Sequence, residues 1–140
     1  MSVEKKRIPI RPGLFEYIDP DNQYIKLIGC QCIKCGEKHF PTKNICPACS
    51  STQLKVTDLS QTGVIKTYTV IRQPAPGWAG SVPYIIGVVV LDDGVEVGTH
   101  LTGIDPDLVR VGAQVRSVAG RLFEDQDGNE IIAHMYRIIQ

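Results

Sequence analysis

No stretch of this 140-residue chain is long and apolar enough to cross a bilayer as a helix. The longest apolar run, Tyr84 to Leu91, has eight residues, and a span needs ~20. The N-terminus places Glu4, Lys5, Lys6 and Arg7 ahead of Ile8-Pro9 and lacks the apolar region of a signal peptide. Aromatic residues make up only 6% of the chain, with one tryptophan, so little is available for stacking nucleobases. Catalytic signatures are missing too: no paired carboxylates with an obvious pocket, no glycine-rich phosphate loop and no nucleophile elbow. No internal repeat or low-complexity tract appears, and the formal net charge is zero. At 43% hydrophobic and 21% charged, the composition is that of a globular protein. The length allows one ordinary domain, or a small metal-stapled module beside a compact β domain.

Against these absences stand five cysteines, four of them in two Cys-x-x-Cys pairs. Cys32 and Cys35 are followed by Gly36, and Cys46 and Cys49 answer them ten residues later. Each such turn aims two thiolates at a common ion, about 2.3 Å from each sulfur. Two facing turns supply four ligands, which closes a tetrahedral site and leaves no position for substrate. That pattern is one of structural zinc. A rubredoxin-like iron site uses the same four ligands, whereas two disulfides would require an oxidising compartment. Thiols committed to metal and an N-terminus without an export signal give cytoplasmic as the expected location. Cys30 is the odd thiol, expected as a half-buried spectator, with register competition against Cys32 and a nucleophilic role as the lesser readings. His39 lies between the two pairs and reads as a surface or packing histidine, because four thiolates already complete the site.

Charge is unevenly spread. Residues 1–72 hold 11 Lys/Arg against 6 Asp/Glu, and residues 73–140 hold 4 against 9, so the halves carry +5 and −5. Lys34, Lys38 and Lys43 flank the cysteines. They read equally well as balance for a thiolate cluster and as an anion-binding surface.

Pro9, Pro12, Gly13 and Asp19-Pro20-Asp21-Asn22 break any period in residues 1–23, which reads as an extended arm. Residues 24–58 form the metal-binding ribbon, entered by a strand at Tyr24–Ile28, with Phe40 expected under the metal loop. Residues 59–140 read as a barrel. Its strands are expected at Gly63–Ile71, Tyr84–Leu91, Val95–Leu101, Gln114–Phe123 and Ile131–Ile139. A turn at Asp92-Asp93-Gly94 and a capped helical turn at Asp105–Val109 punctuate them. Five strands with a helical turn after the third is the order of an OB-fold. The whole is therefore mostly β, a rubredoxin-like zinc ribbon followed by a five-stranded OB barrel. His100 and His134 fall in strands and read as satisfied barrel histidines. Between the first two barrel strands, the Pro- and Gly-dense loop Gln73–Pro83 carries Trp78. The tryptophan either folds back on its own barrel or meets a partner or ligand.

The succession Cys32-x-x-Cys35-Gly36, Phe40-Pro41, Cys46-Pro47-x-Cys49, Gly63-x-Ile65-x-Thr67-Tyr68-Thr69-Val70, Pro83-Tyr84, Leu91-Asp92-x-Gly94 and Val111-Gly112 resembles the domain-of-unknown-function-35 family. The likeness covers about residues 24–123. Two departures stand out: no amphipathic helix opens the chain, and Ser60-Gln61-Thr62-Gly63 lacks an extra glycine before the first barrel strand. The resemblance implies a non-catalytic partner of acyl-CoA enzymes that scaffolds the complex and helps to bind coenzyme A. Thiolases, hydroxymethylglutaryl-CoA synthases and MaoC-type hydratases are the partners it implies. Within that set the reading leans to a thiolase, such as a benzoylsuccinyl-CoA thiolase of aromatic-compound degradation. Lys34, Lys38 and Lys43 are the expected contacts for CoA phosphates, with Trp78 as a CoA or partner contact. A nucleic-acid-binding ribbon and barrel is the reading of another class, disfavoured by the acidic second half.

Overall fold

Strand after strand alternates buried and exposed residues, and the burial of one face sets the architecture. The computed structural model describes residues 6–78 and 80–139. The chain runs through β1 (Arg7–Pro9), β2 (Phe15–Tyr17), β3 (Ile25–Cys32), β4 (Lys38–His39), β5 (Leu54–Asp58), β6 (Thr62–Ile71), β7 (Tyr84–Leu91) and β8 (Glu96–Thr102). A one-turn 3-10 helix at Pro106–Leu108 precedes β9 (Gln114–Glu124) and β10 (Glu130–Ile138). Asp105 caps that turn by accepting the Asp107 N–H, with proline at the first helical position.

Strands β6 to β10 close a five-stranded barrel in the order β10-β8-β7-β6-β9, with β9 returning to pair with β10. All neighbours are antiparallel except β8 and β10, which run parallel through Met135–Arg137 and His100–Thr102. The barrel is thus the expected OB-fold. Its interior gathers Ile65, Val89, Leu91, Val97, Val115 and the fully buried Tyr136. The β7–β8 hairpin turns through Gly94 at φ 90°, a conformation that asks for glycine.

The ribbon is built on β3, which pairs with β2 over Ile25–Leu27 and, over Cys30–Gln31, with β4 along one edge and β5 along the other. It shares the barrel's core: Ile25 and Leu27 of β3 and Leu59 just after β5 belong to the same buried cluster as the barrel strands. The Ser117 hydroxyl of β9 donates to the Ile25 carbonyl at 2.6 Å, a fully buried link between the two parts. Lys38 of the ribbon pairs with Asp93 in the β7–β8 turn at 3.7 Å. The positive and negative halves of the chain therefore meet at the joint.

The first five positions of the expected arm lie outside the described residues. The remainder is two three-residue strands joined and followed by turns, and it does not hang free. β1 adds in parallel to the first half of β10, and β2 pairs with β3. Among the described residues no helix is long and apolar enough to cross a membrane.

Candidate functional site

The two Cys-x-x-Cys turns are near copies of each other in backbone. In the first, the Gly36 N–H bonds the Cys32 carbonyl at 2.9 Å; in the second, the Ser50 N–H bonds the Cys46 carbonyl at 2.8 Å. The residue after each second cysteine is left-handed, Gly36 at φ 81° and Ser50 at φ 64°. Glycine adopts this freely and serine at a cost.

These turns bring the Sγ atoms of Cys32, Cys35, Cys46 and Cys49 within 4.8 Å of one another. The Cys32–Cys49 and Cys35–Cys46 sulfurs are each 3.6 Å apart. A tetrahedron with metal–sulfur bonds of about 2.3 Å has edges of about 3.8 Å, whereas a disulfide closes to about 2.05 Å. All four cysteines are free. They are positioned to bind a metal, with Cys32 and Cys46 buried and Cys35 and Cys49 facing solvent.

The electrostatics point the same way. The Cys35 N–H approaches the Cys32 sulfur at 3.4 Å. That bond in particular brings the Cys32 thiol down to about 6. At Cys35 the Glu37 N–H favours the thiolate, but burial and the crowding of Cys46, Cys32 and Cys49 outweigh it and push the thiol up to about 12. Four thiolates this close repel unless a cation sits among them.

Two neighbours of the cluster have defined partners. His39 packs beside the four sulfurs, its Nε2 3.4 Å from the Cys46 sulfur. The short β4 strand, paired through Cys30 and His39, holds the imidazole there. Cys30 is buried at 3% exposure rather than half-buried. Its sulfur accepts the Lys43 N–H at 3.3 Å, which ties down the loop leading to the second turn. Cys30 stands outside the four-sulfur cluster.

The lysines are placed as follows. Lys34 and Lys43 are exposed, and Lys38 is the half-buried partner of Asp93. Phe40, expected under the metal loop, is a joint residue. It packs against the common core and meets the His134 ring edge-on, at 5.3 Å between centroids and 79° between planes.

A second feature opens where β8 and β10 part. β10 gives its first half to β1 and only its second half to β8, which leaves a cleft of ≈ 570 Å³. Its walls include Thr67, Tyr68, Ile86, Thr99, His100 and His134. His134 Nε2 lies 3.2 Å from the Gly98 carbonyl, bridging the gap. Its Nδ1 is buried without a partner, so this histidine is only half satisfied. Burial lowers the pKa of both His134 and His100, and the neighbouring His134 lowers His100 further.

Trp78 lines a neighbouring cleft that shares His100 with this one. Its indole stacks on His100 at 5.9 Å and 11°, and lies 4.6 Å from the Tyr84 ring. The Trp78 indole N–H donates to the Ser81 carbonyl at 3.3 Å. A Cβ on Gly80 would fall 2.5 Å from Trp78 Cζ2, so only glycine lets the ring fold over at this point. Trp78 is therefore half-buried on its own barrel, while residues 72–77 of its loop are exposed.

Comparison with known proteins follows the same division. Residues 25–55 match the family "ChsH2, rubredoxin-like zinc ribbon domain", and residues 56–120 match "ChsH2, C-terminal OB-fold domain". A DUF35 domain-containing scaffold protein of Methanocaldococcus jannaschii is 32% identical over 112 residues, 79% of each chain.

The chain belongs to the DUF35 family.

A second DUF35 scaffold protein, from Pyrococcus furiosus, is 32% identical over 115 residues, 81% of this chain and 84% of that one. A probable enoyl-CoA hydratase alpha subunit of Thermomonospora curvata is 31% identical over 90 residues, which are 64% of this chain and 28% of that subunit. Among solved structures, the Ltp2-ChsH2(DUF35) aldolase superposes with a TM-score of 0.64 at 27% identity, covering 81% of this chain and 84% of that one. The family descriptions and the four-sulfur geometry agree on a ribbon built to hold a metal.

Proposed function

We propose that this DUF35 protein is a non-catalytic subunit of an acyl-CoA enzyme complex, scaffolding a thiolase-type catalytic subunit and contributing to the CoA passage. The observation that carries the reading is the match of four-fifths of the chain, ribbon and barrel together, to the DUF35 component of a two-part aldolase. Three further points support it. Relatives over most of their length are named scaffold proteins. A more distant relative is named as a hydratase subunit acting on enoyl-CoA, which keeps a MaoC-type hydratase as an alternative partner beside hydroxymethylglutaryl-CoA synthase. The four cysteines, finally, form a closed ligand set with no vertex left for a substrate.

Zinc is the metal we assign to Cys32, Cys35, Cys46 and Cys49. It is d¹⁰ and indifferent to redox state, which suits a site whose task is to hold two loops together. In this reading residues 1–23 serve as the arm, 24–58 as the ribbon and 59–140 as the barrel. Lys34 and Lys43, exposed beside the ribbon, face the phosphates of CoA. Lys38 joins them at the joint, its ammonium shared with Asp93. Trp78 presents its outer face, and the loop around it, to the partner or to the acyl-CoA chain. The setting of the complex is the cytoplasm, with aromatic-compound degradation as the favoured pathway.

The test is an acyl-CoA thioester assay with and without the catalytic subunit. The isolated chain should neither cleave nor condense thioesters, and its addition should raise the activity and stability of the catalytic partner. Thiolytic turnover by the purified chain, abolished by Cys30→Ala, would instead make it an enzyme with Cys30 as nucleophile.

A further inference from the structure

Arg116 of β9 and Arg137 of β10 stand directly opposite each other in the antiparallel ladder. Side chains at such positions share a face with Cβ atoms about 4.5–5.5 Å apart, and like charges placed there destabilise the pair. Several cations on this protein meet acids: Lys26 meets Asp58, Lys66 meets Glu96, Arg72 meets Asp107 and Arg121 meets Glu124. Among the described residues no acid faces Arg116 or Arg137, although the chain carries as many acidic as basic residues.

Both guanidinium groups are nonetheless held in place. Arg116 lies over the Tyr24 ring with its Cζ 3.9 Å from the centroid, a contact that fixes the plane of the fork. Arg137 runs across Gly103, where a Cβ would fall 2.6 Å from Arg137 Cγ and 3.2 Å from Nε. The missing side chain at Gly103, which sits at φ 86°, makes the channel for the arginine. Between the two forks a pocket of ≈ 300 Å³ is lined by Tyr24, Arg116, Arg137, Ile138 and Ile139. Two restrained guanidinium groups with no acidic partner among the described residues, bordering one cavity, are a receptor for an anion.

We propose that Arg116 and Arg137 form a phosphate-binding site on the outside of the barrel, taking the terminal phosphate of a phosphate monoester. Two planar forks offer more donors than the two oxygens of a carboxylate accept, and they match a tetrahedral dianion with three free oxygens. The dianion also cancels both charges of the pair, which a monoanion does not. Tyr24 and the half-exposed Ile139 then border the organic part of the ligand. This site is independent of the acyl-CoA reading, since it needs neither a partner nor CoA.

The experiment uses the full chain with its metal and inorganic phosphate as the probe, against acetate and chloride at equal ionic strength. Phosphate should raise the melting temperature above both controls and shift backbone resonances at Tyr24, Arg116, Arg137 and Ile138. Arg116→Gln and Arg137→Gln should each weaken phosphate binding at least tenfold. Without phosphate, Arg137→Gln should melt no lower than the parent, because it relieves a like-charge contact. Arg116→Lys, which keeps the charge and loses the fork, should also weaken binding. Phosphate acting no differently from chloride, or Gln variants that bind phosphate as the parent does, would overturn the proposal. Should Arg116→Gln fail to fold, Arg137→Gln and the resonance map decide it, since Arg137 is exposed.

Discussion

Phe40 of the ribbon meets His134 of the last barrel strand edge to face, 5.3 Å between ring centroids. This contact, with the Ser117–Ile25 hydrogen bond and the Lys38–Asp93 ion pair, locks the metal loop to the barrel. Phe40→Ala removes the ring from a site that is only partly buried. It should cost about 2 kcal/mol, below the range for a fully buried phenylalanine. Chemical denaturation checks the cost. The four-cysteine metal content should be unchanged, because Phe40 touches the joint and not the sulfurs.

Acid should weaken the barrel through its two histidines. Burial holds His134 and His100 below the ordinary imidazole value, so both are neutral in the folded state. The unfolded chain takes up protons near pH ~6.5. Their contribution to stability is therefore fully present above that pH and is lost as pH falls from there through the lowered folded values. A series of melting temperatures between pH 8 and pH 5 should show the decline. Replacing both histidines by glutamine should flatten it.

Much of this molecule was legible in its sequence, and what was not has a common cause. The metal ligands could be read because Cys-x-x-Cys is a local geometry, complete within four residues. The barrel strands could be read because Thr62–Ile71 and Tyr84–Leu91 are rich in β-branched residues and bounded by turn residues. By contrast β1, β2 and β4 have two or three residues each and exist only through distant partners. β5, at Leu54–Asp58, is largely exposed and shows little pattern. His39 sits beside Cys46 because β4 pairs with β3. The Arg116–Arg137 pair depends on the β9–β10 register. Neither relationship is written in residue spacing.

Trp78 divides its surface between two tasks, and a single substitution can weigh them. Its stacking on Tyr84 and His100 should make Trp78→Ala cost the isolated chain about 1 kcal/mol. If its outer face anchors the catalytic partner, the same substitution should cost about 2 kcal/mol or more of complex affinity. Calorimetric titration of the partner, read beside the melting temperature, separates the two. A large loss of melting temperature with affinity intact would assign Trp78 wholly to the barrel.

Removing one thiolate tests the ribbon. Cys46→Ser takes away a buried ligand and the sulfur that His39 approaches. Metal binding and folding are coupled in such sites. The variant should therefore lose most of its zinc and expose residues 24–58 to hydrogen exchange, while the far side of the barrel stays protected. Cys30→Ala, outside the cluster, should keep one zinc per chain. Elemental analysis and exchange mass spectrometry read both outcomes.

The most direct measurement of the central claim is the native mass of this protein drawn from an extract of its own cells. The account predicts a defined hetero-oligomer in which the chain accompanies a thiolase-type catalytic subunit and carries one zinc. A chain recovered without an acyl-CoA enzyme, or bound instead to nucleic acid through a salt-resistant contact, would contradict it.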